Sequence, residues 1–335
     1  MSAAAEVSEK RSNASSFTSS GPRPADAIFK WLSIASGLLI FLTLAAVATF
    51  LTMQSWPAIG ESKEMTGKAD AISLVEYTGP FVFATVYAAV LALILAVPVA
   101  IGIALFISHF APRKLATPLG FMIDLLAAVP SVVFGLWGGI WLVPKLEPLF
   151  IVLNKTIGTY PKWPDFMPWW GGEPVFAIFA GHAQPPMQNL GTASVVLAVM
   201  ILPIITAVVR EVFLQTPRLQ EEAALALGAT RWEMIRTVVF PFGASGIVAA
   251  SMLGLGRALG ETMAVLMILA PGASYAWQIF EPGRHTTIAS NIALHAPEST
   301  GVDLSRLIFA GLVLFVLTFV INAIARGIVA RSTKN

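Results

Sequence analysis

The stretch Pro80–Ser108, PFVFATVYAAVLALILAVPVAIGIALFIS, contains no charged residue. A helix that crosses a hydrocarbon core about 30 Å thick needs about 20 predominantly apolar residues, and this run is longer than that. Irregular backbone facing lipid would leave its N–H and C=O groups without hydrogen bonds. The stretch is therefore predicted to form a transmembrane helix.

The rest of the chain repeats this pattern. Of its 335 residues, 56% are hydrophobic and only 12% are charged, against roughly a quarter charged in an ordinary soluble domain. Six apolar runs are long enough to cross a membrane: about 31–53, 80–108, 118–143, 190–209, 242–270 and 307–325. These runs predict an all-α integral membrane protein with six transmembrane helices.

The distribution of basic residues predicts the orientation. Of the 21 lysines and arginines, most lie on the side of the six-span arrangement that holds both termini and the second and fourth loops. Because basic loops stay in the cytoplasm, both termini are predicted to be cytoplasmic. The Ser-rich residues 1–27 lack the features of a signal peptide and are predicted to be a flexible cytoplasmic tail. Residues 28–330 are then the transmembrane domain, and 331–335 form a short cytoplasmic tail.

Several kinds of chemistry have no residues to support them. The chain has no cysteine, which excludes disulfides, thiolate metal sites and a cysteine nucleophile. Its four histidines show no i,i+4 pair that would place two metal ligands on one helix face. No phosphate-binding loop and no Gly-x-Ser-x-Gly elbow occurs. We therefore predict no catalytic residue, no metal and no bound cofactor in this chain.

Two charges lie inside the fifth apolar run, in the stretch GLGRALGETMA, Gly254–Ala264. An arginine facing lipid costs about 2.5 kcal/mol or more, so Arg257 is predicted to face a protein interior or a water-filled path. Glu261 lies at i+4 and can pair with it. Gly256 and Gly260 let a neighbouring helix approach or leave backbone amides open to a ligand.

The planar donors of an arginine suit a phosphate ion. We hypothesise a switching pair, in which Arg257 bonds Glu261 in one state and the anion in another, so that the site stays weak enough to release its load. A permanent ion pair that only packs helices together is the alternative.

The third apolar run carries two further polar residues. Asp124 lies near its cytoplasmic edge, where it is expected to cap a helix or to meet an arginine such as Arg210 or Arg113. Ser131 and Gly135 follow Pro130, which frees backbone groups within the run and could expose carbonyls or a hydroxyl to a path.

The fourth loop, 211–241, contains TPRLQEEAALALGATRWEMIRTVVFP. Its first part is rich in strong helix formers. Gly228 can end that helix, and Thr230 can cap a second one with Glu233 at the spacing of a capping box. Two short helices joined at a glycine are predicted.

Part of this loop resembles the cytoplasmic signature of ABC-importer permeases. Five residues fall at the matching positions: Glu222, Ala223, Ala224, Gly228 and Pro241. Val238 and Phe240 replace the usual isoleucine and leucine and keep those positions apolar. The resemblance implies the type I ABC importer permease fold and a coupling helix that sits in a cleft of a separate ATPase subunit. An amphipathic element resting on lipid headgroups is the alternative.

Two other stretches, IDLLAAVPSVVFGLWGG (Ile123–Gly139) and LGLGRALGETMAV (Leu253–Val265), resemble the C-type permease of the bacterial Pst phosphate-specific importer. The similarity covers roughly Trp31–Arg326, without the N-terminal tail and the external loop 144–189. It implies a permease for inorganic phosphate in the bacterial inner membrane. It also implies a homologous A-type permease, two nucleotide-binding subunits that hold ATP and magnesium, and an external phosphate-binding protein.

The predicted substrate path combines these observations in six residues: Arg257, Glu261, Ser131, Gly256, Gly260 and Thr262. Membrane lipids are the expected surroundings, and no nucleic-acid partner is expected. Other oxyanions, sulfate or molybdate, remain alternative cargoes because their importers share the coupling loop. A polytopic membrane enzyme acting on a phosphorylated lipid is a further alternative, which the coupling loop disfavours. The Trp-rich loop 144–189 is expected to anchor in the membrane interface or to dock the external protein.

Overall fold

A computed structural model describes residues 24–67, 72–159, 176–183, 185 and 187–332 of the chain. Within these residues the regular structure is entirely helical, which confirms the predicted all-α class. Most of the predicted N-terminal tail, the last three residues of the chain and the tryptophans of the external loop lie outside the described residues.

The helices have the following bounds: α1 (Pro24–Gly60), α2 (Lys63–Thr66), α3 (Leu74–Leu105), α4 (Arg113–Ala127), α5 (Ser131–Trp137), α6 (Val143–Thr156), α7 (Leu190–Leu214), α8 (Arg218–Ala226), α9 (Arg231–Met234), α10 (Phe240–Leu259), α11 (Met263–Ile268), α12 (Ile288–His295) and α13 (Gly301–Ser332). Three π turns continue or join them. Phe106–Phe110 extends α3, Gly138–Leu142 joins α5 to α6, and Ile235–Val239 joins α9 to α10.

Six stretches of the described chain are long and apolar enough to cross a membrane, as the sequence predicts. They are Ile28–Gly60, Leu74–Phe110, Ser131–Thr156, Leu190–Leu214, Arg231–Leu259 and Gly301–Gly327. The chain also divides into two compact units, residues 1–50 and 51–335.

The described part of the first unit is one stretch of α1. Its hydroxyl groups stay within the helix, because each donates to the carbonyl four residues earlier, which keeps a polar group satisfied in apolar surroundings. The residues concerned are Ser33, Ser36, Thr43 and Thr49.

The third span differs from the predicted 118–143. The chain forms a separate helix, α4, and then breaks before Pro130, which precedes the first residue of α5. Proline disfavours helical backbone in the residue before it, so the break falls where the apolar run shows no interruption. The span then runs from Ser131 to Thr156, through the first part of the predicted external loop.

The fifth span also differs from the predicted 242–270. It begins at Arg231, where the Thr230 hydroxyl and the Glu233 carboxylate form the expected capping box. The second short helix predicted in the loop is therefore the first turn of this span. The helix ends at Leu259, and the chain resumes as α11 after Gly260, Glu261 and Thr262.

The core of the second unit forms where α3 packs against α7. Every fourth residue of α3 is a buried alanine that is at most 1% exposed: Ala84, Ala88, Ala92, Ala96, Ala100 and Ala104. Small residues at this spacing form one face that lets two membrane helices approach closely. Large apolar side chains of α7 are buried at the same spacing: Leu197, Ile201, Ile205 and Val209.

Helix α10 packs against the α7 helix through glycines. A Cβ atom on Gly243 would lie 2.8 Å from Phe213, one on Gly246 would lie 2.5 Å from Val212, and one on Gly254 would lie 2.8 Å from Ile205. These distances leave no room for a side chain. The absence of a side chain therefore sets how closely α10 approaches α7.

The segment between α11 and α12, 269–287, has no regular secondary structure and contacts α3. Tyr87 of α3 donates a hydrogen bond from its hydroxyl to the carbonyl of Trp277 at 2.8 Å. His285 is buried, and its Nε2 lies 2.7 Å from the carbonyl oxygen of Ala276. Burial lowers the pKa of His285, because the charged imidazolium loses its hydration there. The Tyr87 hydroxyl thus joins the segment to α3, and the His285–Ala276 contact lies within the segment itself.

Replacing Gly246 with alanine is expected to lower the apparent unfolding temperature, because the added methyl group meets the stiff side chain of Val212. Overpacking of this kind costs about 1–3 kcal/mol. Gly256 of the same helix has nothing within 4 Å of an added methyl group. Gly256→Ala is therefore the control, expected to be neutral or to stabilise by up to about 1 kcal/mol. Thermal unfolding in detergent micelles checks both, and a Gly246→Ala protein as stable as Gly256→Ala would contradict the described packing.

Candidate functional site

The break between α10 and α11 separates the two charges that the sequence places one helical turn apart. Arg257 is half-buried in the last turn of α10, and Glu261, only 8% exposed, follows the end of that helix. Since the helix ends at Leu259, the i,i+4 geometry does not extend to Glu261. The two side chains form no ion pair. The ion pairs of the described residues are His109–Glu221, Arg210–Asp124, Arg284–Glu281 and Arg306–Asp303.

Glu261 bonds the backbone in this conformation. Its Oε1 accepts a hydrogen bond from the backbone N–H of Ala264 at 3.2 Å, so the carboxylate satisfies one of the free donors at the start of α11. Negative charge is favourable at that end of a helix. Arg257 has no hydrogen-bond or ion-pair partner among the described side chains, and its five N–H donors are left for a ligand or water.

A second break adjoins the first. Helix α5 starts at Ser131, after the turn at Pro130, and packs against α11. The contact is close: a Cβ atom on Gly135 would lie 2.8 Å from Cα of Ala264. The half-buried Ser131 lies one turn before Gly135 on α5, and Glu261 lies three residues before Ala264. The breaks in two apolar runs, 118–143 and 242–270, therefore lie close together, with polar residues at both.

Interrupted helices of this kind are tolerated at membrane depth only where protein or a water-filled cavity surrounds the freed backbone groups. In transporters such half-helix ends bind anionic substrates and ions. Of the six predicted path residues, Gly260, Glu261 and Thr262 form one break and Ser131 follows the other. Sequence reasoning missed Gly135 as a contact residue, although it lies within the quoted stretch Ile123–Gly139.

Asp124 lies opposite Arg210, one of the two arginines expected near it. The distance from Oδ2 to Nη2 is 3.9 Å, and the Asp124 side chain is 54% exposed, so the pair adds little stability. The guanidinium of Arg210 also covers Gly120, where a Cβ atom would overlap with Nη1. Both contacts join α4 to α7.

The predicted coupling segment presents its matching residues on an exposed element. Glu222, Ala223 and Ala224 belong to α8, and Gly228 follows that helix with φ of +89°, a backbone conformation that favours glycine. Pro241 lies at the second position of α10. Several large apolar side chains of this segment are exposed, Leu219, Leu227 and Trp232 among them, and Leu227 reaches 89%. Such a surface is suited to a protein partner.

Comparisons with known proteins agree with this architecture. Residues 96–334 match the family described as binding-protein-dependent transport system inner membrane component. The chain is 44% identical over 315 residues to the phosphate transport system permease protein PstC 2 of Mycobacterium tuberculosis, covering 91% of this chain and 92% of that protein. It is 37% identical over 311 residues to the phosphate transport system permease protein PstC of Pasteurella multocida, covering 92% of each.

Two solved structures share the fold at low sequence identity. An inward-facing MetNI methionine ABC transporter chain has a TM-score of 0.51 and 16% identity, covering 76% of this chain and 95% of its own. A chain of a bacterial ABC transporter that imports the acidic polysaccharide alginate has a TM-score of 0.50 and 18% identity, covering 90% of this chain and 98% of its own. The chain has the fold of ABC importer permeases.

Replacing Gly135 with alanine is expected to push α11 away from α5, because the added methyl group meets backbone of Ala264 that cannot rotate aside. The amides of α11 should then exchange with deuterium faster, since local opening costs less free energy. Gly102→Ala on α3, with nothing within 4 Å of its added methyl group, is the control. Unchanged exchange across Met263–Ile268 in the Gly135→Ala protein would show that the two breaks do not depend on each other.

Proposed function

Because the chain belongs to the family of binding-protein-dependent transport system inner membrane components, we propose that it is the transmembrane permease subunit of an ATP-driven inorganic phosphate importer. Phosphate is the cargo in the names of its relatives. The structural observation that carries the proposal is Arg257, an arginine in the last turn of α10 with no partner among the described side chains. An oxyanion supplies the acceptor atoms that this guanidinium lacks.

The residues around the two breaks have distinct proposed roles. Arg257 binds the anion, and the hydroxyls of Ser131 and Thr262 offer further hydrogen bonds. Gly256 and Gly260 keep the backbone accessible to the ligand. Glu261, which caps α11 in the described conformation, is proposed to pair with Arg257 in another conformation of the transport cycle. Competition from this carboxylate keeps phosphate affinity low enough for release.

Transport of this kind takes its free energy from elsewhere, because the sequence has no phosphate-binding loop for ATP. We propose that a separate pair of ATPase subunits binds ATP and magnesium and receives the coupling helix α8. The signature residues Glu222 to Gly228 and the exposed apolar side chains of the segment support this role. A homologous A-type permease and an external phosphate-binding protein complete the proposed importer, with both termini of this chain in the cytoplasm.

Uptake of radiolabelled phosphate tests the cargo and the arginine together. In cells that lack their own copy of this chain, wild type is expected to restore saturable uptake that excess sulfate does not inhibit. Arg257→Gln should reduce uptake at least about 10-fold, since hydrogen bonds to charged groups contribute about 1.5–3 kcal/mol. Arg326→Gln, an exposed arginine near the end of α13, is the control and should transport normally.

The Glu261→Gln protein is expected to bind phosphate more tightly and to release it more slowly. Both the maximal uptake rate and the half-saturating phosphate concentration should therefore fall. Normal uptake by an assembled Arg257→Gln complex would exclude a direct role for this arginine. Inhibition of uptake by sulfate would favour a different oxyanion as cargo.

The coupling segment gives a separate prediction at Gly228. Valine at this position is strained, because the backbone φ of +89° is unfavourable for a β-branched residue, whereas asparagine tolerates it better. Gly228→Val is expected to lose most co-purification of the ATPase subunit, and Gly228→Asn to retain most of it. Equal retention in the two variants would mean that the geometry of this turn does not determine ATPase binding.

A further inference from the structure

A polar contact joins the end of α3 to the helix α8, far along the sequence. Nε2 of His109, in the π turn that extends α3, lies 3.3 Å from Oε1 of Glu221 in α8. Both side chains are largely shielded from solvent, 11% and 21% exposed. His109 also meets the ring of Phe213 on α7 edge to face, with centroids 6.4 Å apart. The contact thus lies where three helices converge.

The neighbouring Ser108 contacts Nδ1, the ring nitrogen of His109 that does not face Glu221. Ser108 Oγ lies 2.7 Å from His109 Nδ1 and 2.8 Å from the carbonyl oxygen of Ala104. A hydroxyl has one hydrogen, so it donates either to Nδ1 or to the carbonyl. In the first case a neutral ring carries its hydrogen on Nε2. In the second case Nδ1–H donates to the hydroxyl oxygen, and a doubly protonated ring again has a hydrogen on Nε2. A neutral ring with its only hydrogen on Nδ1 would point the Nε2 lone pair at the carboxylate oxygen, so the 3.3 Å contact favours the two states in which Nε2–H donates to Glu221.

His109 lies within a π turn. Phe106–Phe110 carries an i→i+5 hydrogen bond, from the N–H of Ala111 to the carbonyl of Phe106 at 2.7 Å. Such a turn adds one residue to the helix and rotates the residues after it by about 100° compared with a continuous α-helix. Helices with this irregularity often carry functional residues at it.

We propose that His109 is a positioning residue that transmits movement of α8 to α3 through Glu221. The inference rests on the proposed function, in which α8 is the element that the ATPase moves. Glu221 immediately precedes the matching residues Glu222 to Ala224 and turns toward the permease. Helix α3 in turn packs on α7 along its alanine face, so a displacement of its end is passed to a closely packed helix pair. A shielded, charge-assisted hydrogen bond is stronger and more directional than an apolar contact.

Two amide substitutions of His109 separate this role from simple packing. Glutamine places its amide nitrogen near the position of Nε2 and keeps a donor for Glu221. Asparagine places its nitrogen near Nδ1, keeps the contact with Ser108 and does not reach Glu221. The complete importer is reconstituted in proteoliposomes, and two ratios are measured: phosphate imported per ATP hydrolysed, and ATP hydrolysis with and without the external binding protein.

His109→Asn is expected to lower phosphate import per ATP by about 10-fold, and His109→Gln by no more than about twofold. Glu221→Ala should match His109→Asn, and Glu221→Gln, which keeps an acceptor oxygen, should match His109→Gln. The double variant His109→Asn/Glu221→Ala should be no worse than either single variant that removes the contact, because all three lose the same hydrogen bond.

Three results would overturn the proposal. The first is an equal ratio of phosphate imported per ATP hydrolysed in His109→Asn and His109→Gln. The second is a loss in the double variant that equals the sum of the losses in the single variants. The third is loss of ATPase binding in both the asparagine and the glutamine variant, which would mean that the contact serves folding only. Failure of the wild-type complex to import phosphate would refute the proposed cargo instead. The ratio of stimulated to basal ATP hydrolysis would then still decide the role of His109.

Discussion

The requirement that backbone polar groups find partners inside a bilayer shapes this protein more than any single contact. The described chain interrupts two of its apolar runs, before Pro130 and after Leu259. Each interruption frees N–H and C=O groups that lipid cannot satisfy. The fold places the helices that leave the two interruptions, α5 and α11, against each other through Gly135 and Ala264. Irregular backbone is thereby given a protein environment.

The same arrangement explains how two charges are accommodated without bonding each other. Glu261 is buried, yet its carboxylate bonds a free amide at the start of α11. At the end of α10, the hydrogen-bond donors of Arg257 meet no acceptor among the residues that the structure describes. An isolated charge in apolar surroundings is costly, which is why Arg257, with no partner among the described side chains, is proposed to meet water or an anion. Small residues on α3 and α10 let the surrounding helices pack closely enough to hold this geometry.

Hydropathy alone predicts the six membrane helices, because a long run without charges has few alternative structures. It cannot locate the break before Pro130, since Ala128 and Val129 are as apolar as their neighbours. The assumption of a continuous helix also places Glu261 beside Arg257, whereas the chain leaves the helix at Gly260. The alanine face of α3 was readable from its four-residue spacing. The contact of His109 with Glu221 joins residues 112 positions apart, and only tertiary packing brings them together.

The continuous helix from Arg231 to Leu259 has a mechanical consequence. Its 29 residues make a rod about 40 Å long, with the capped turn at Thr230 at one end and Arg257 within one turn of the other. A stiff rod that tilts about a point near its middle moves its two ends in opposite directions by similar amounts. The π turn at Ile235–Val239 is the place where such a rod is most compliant. The bending stiffness of this π turn would therefore determine how much of a displacement at Thr230 reaches the half-buried Arg257.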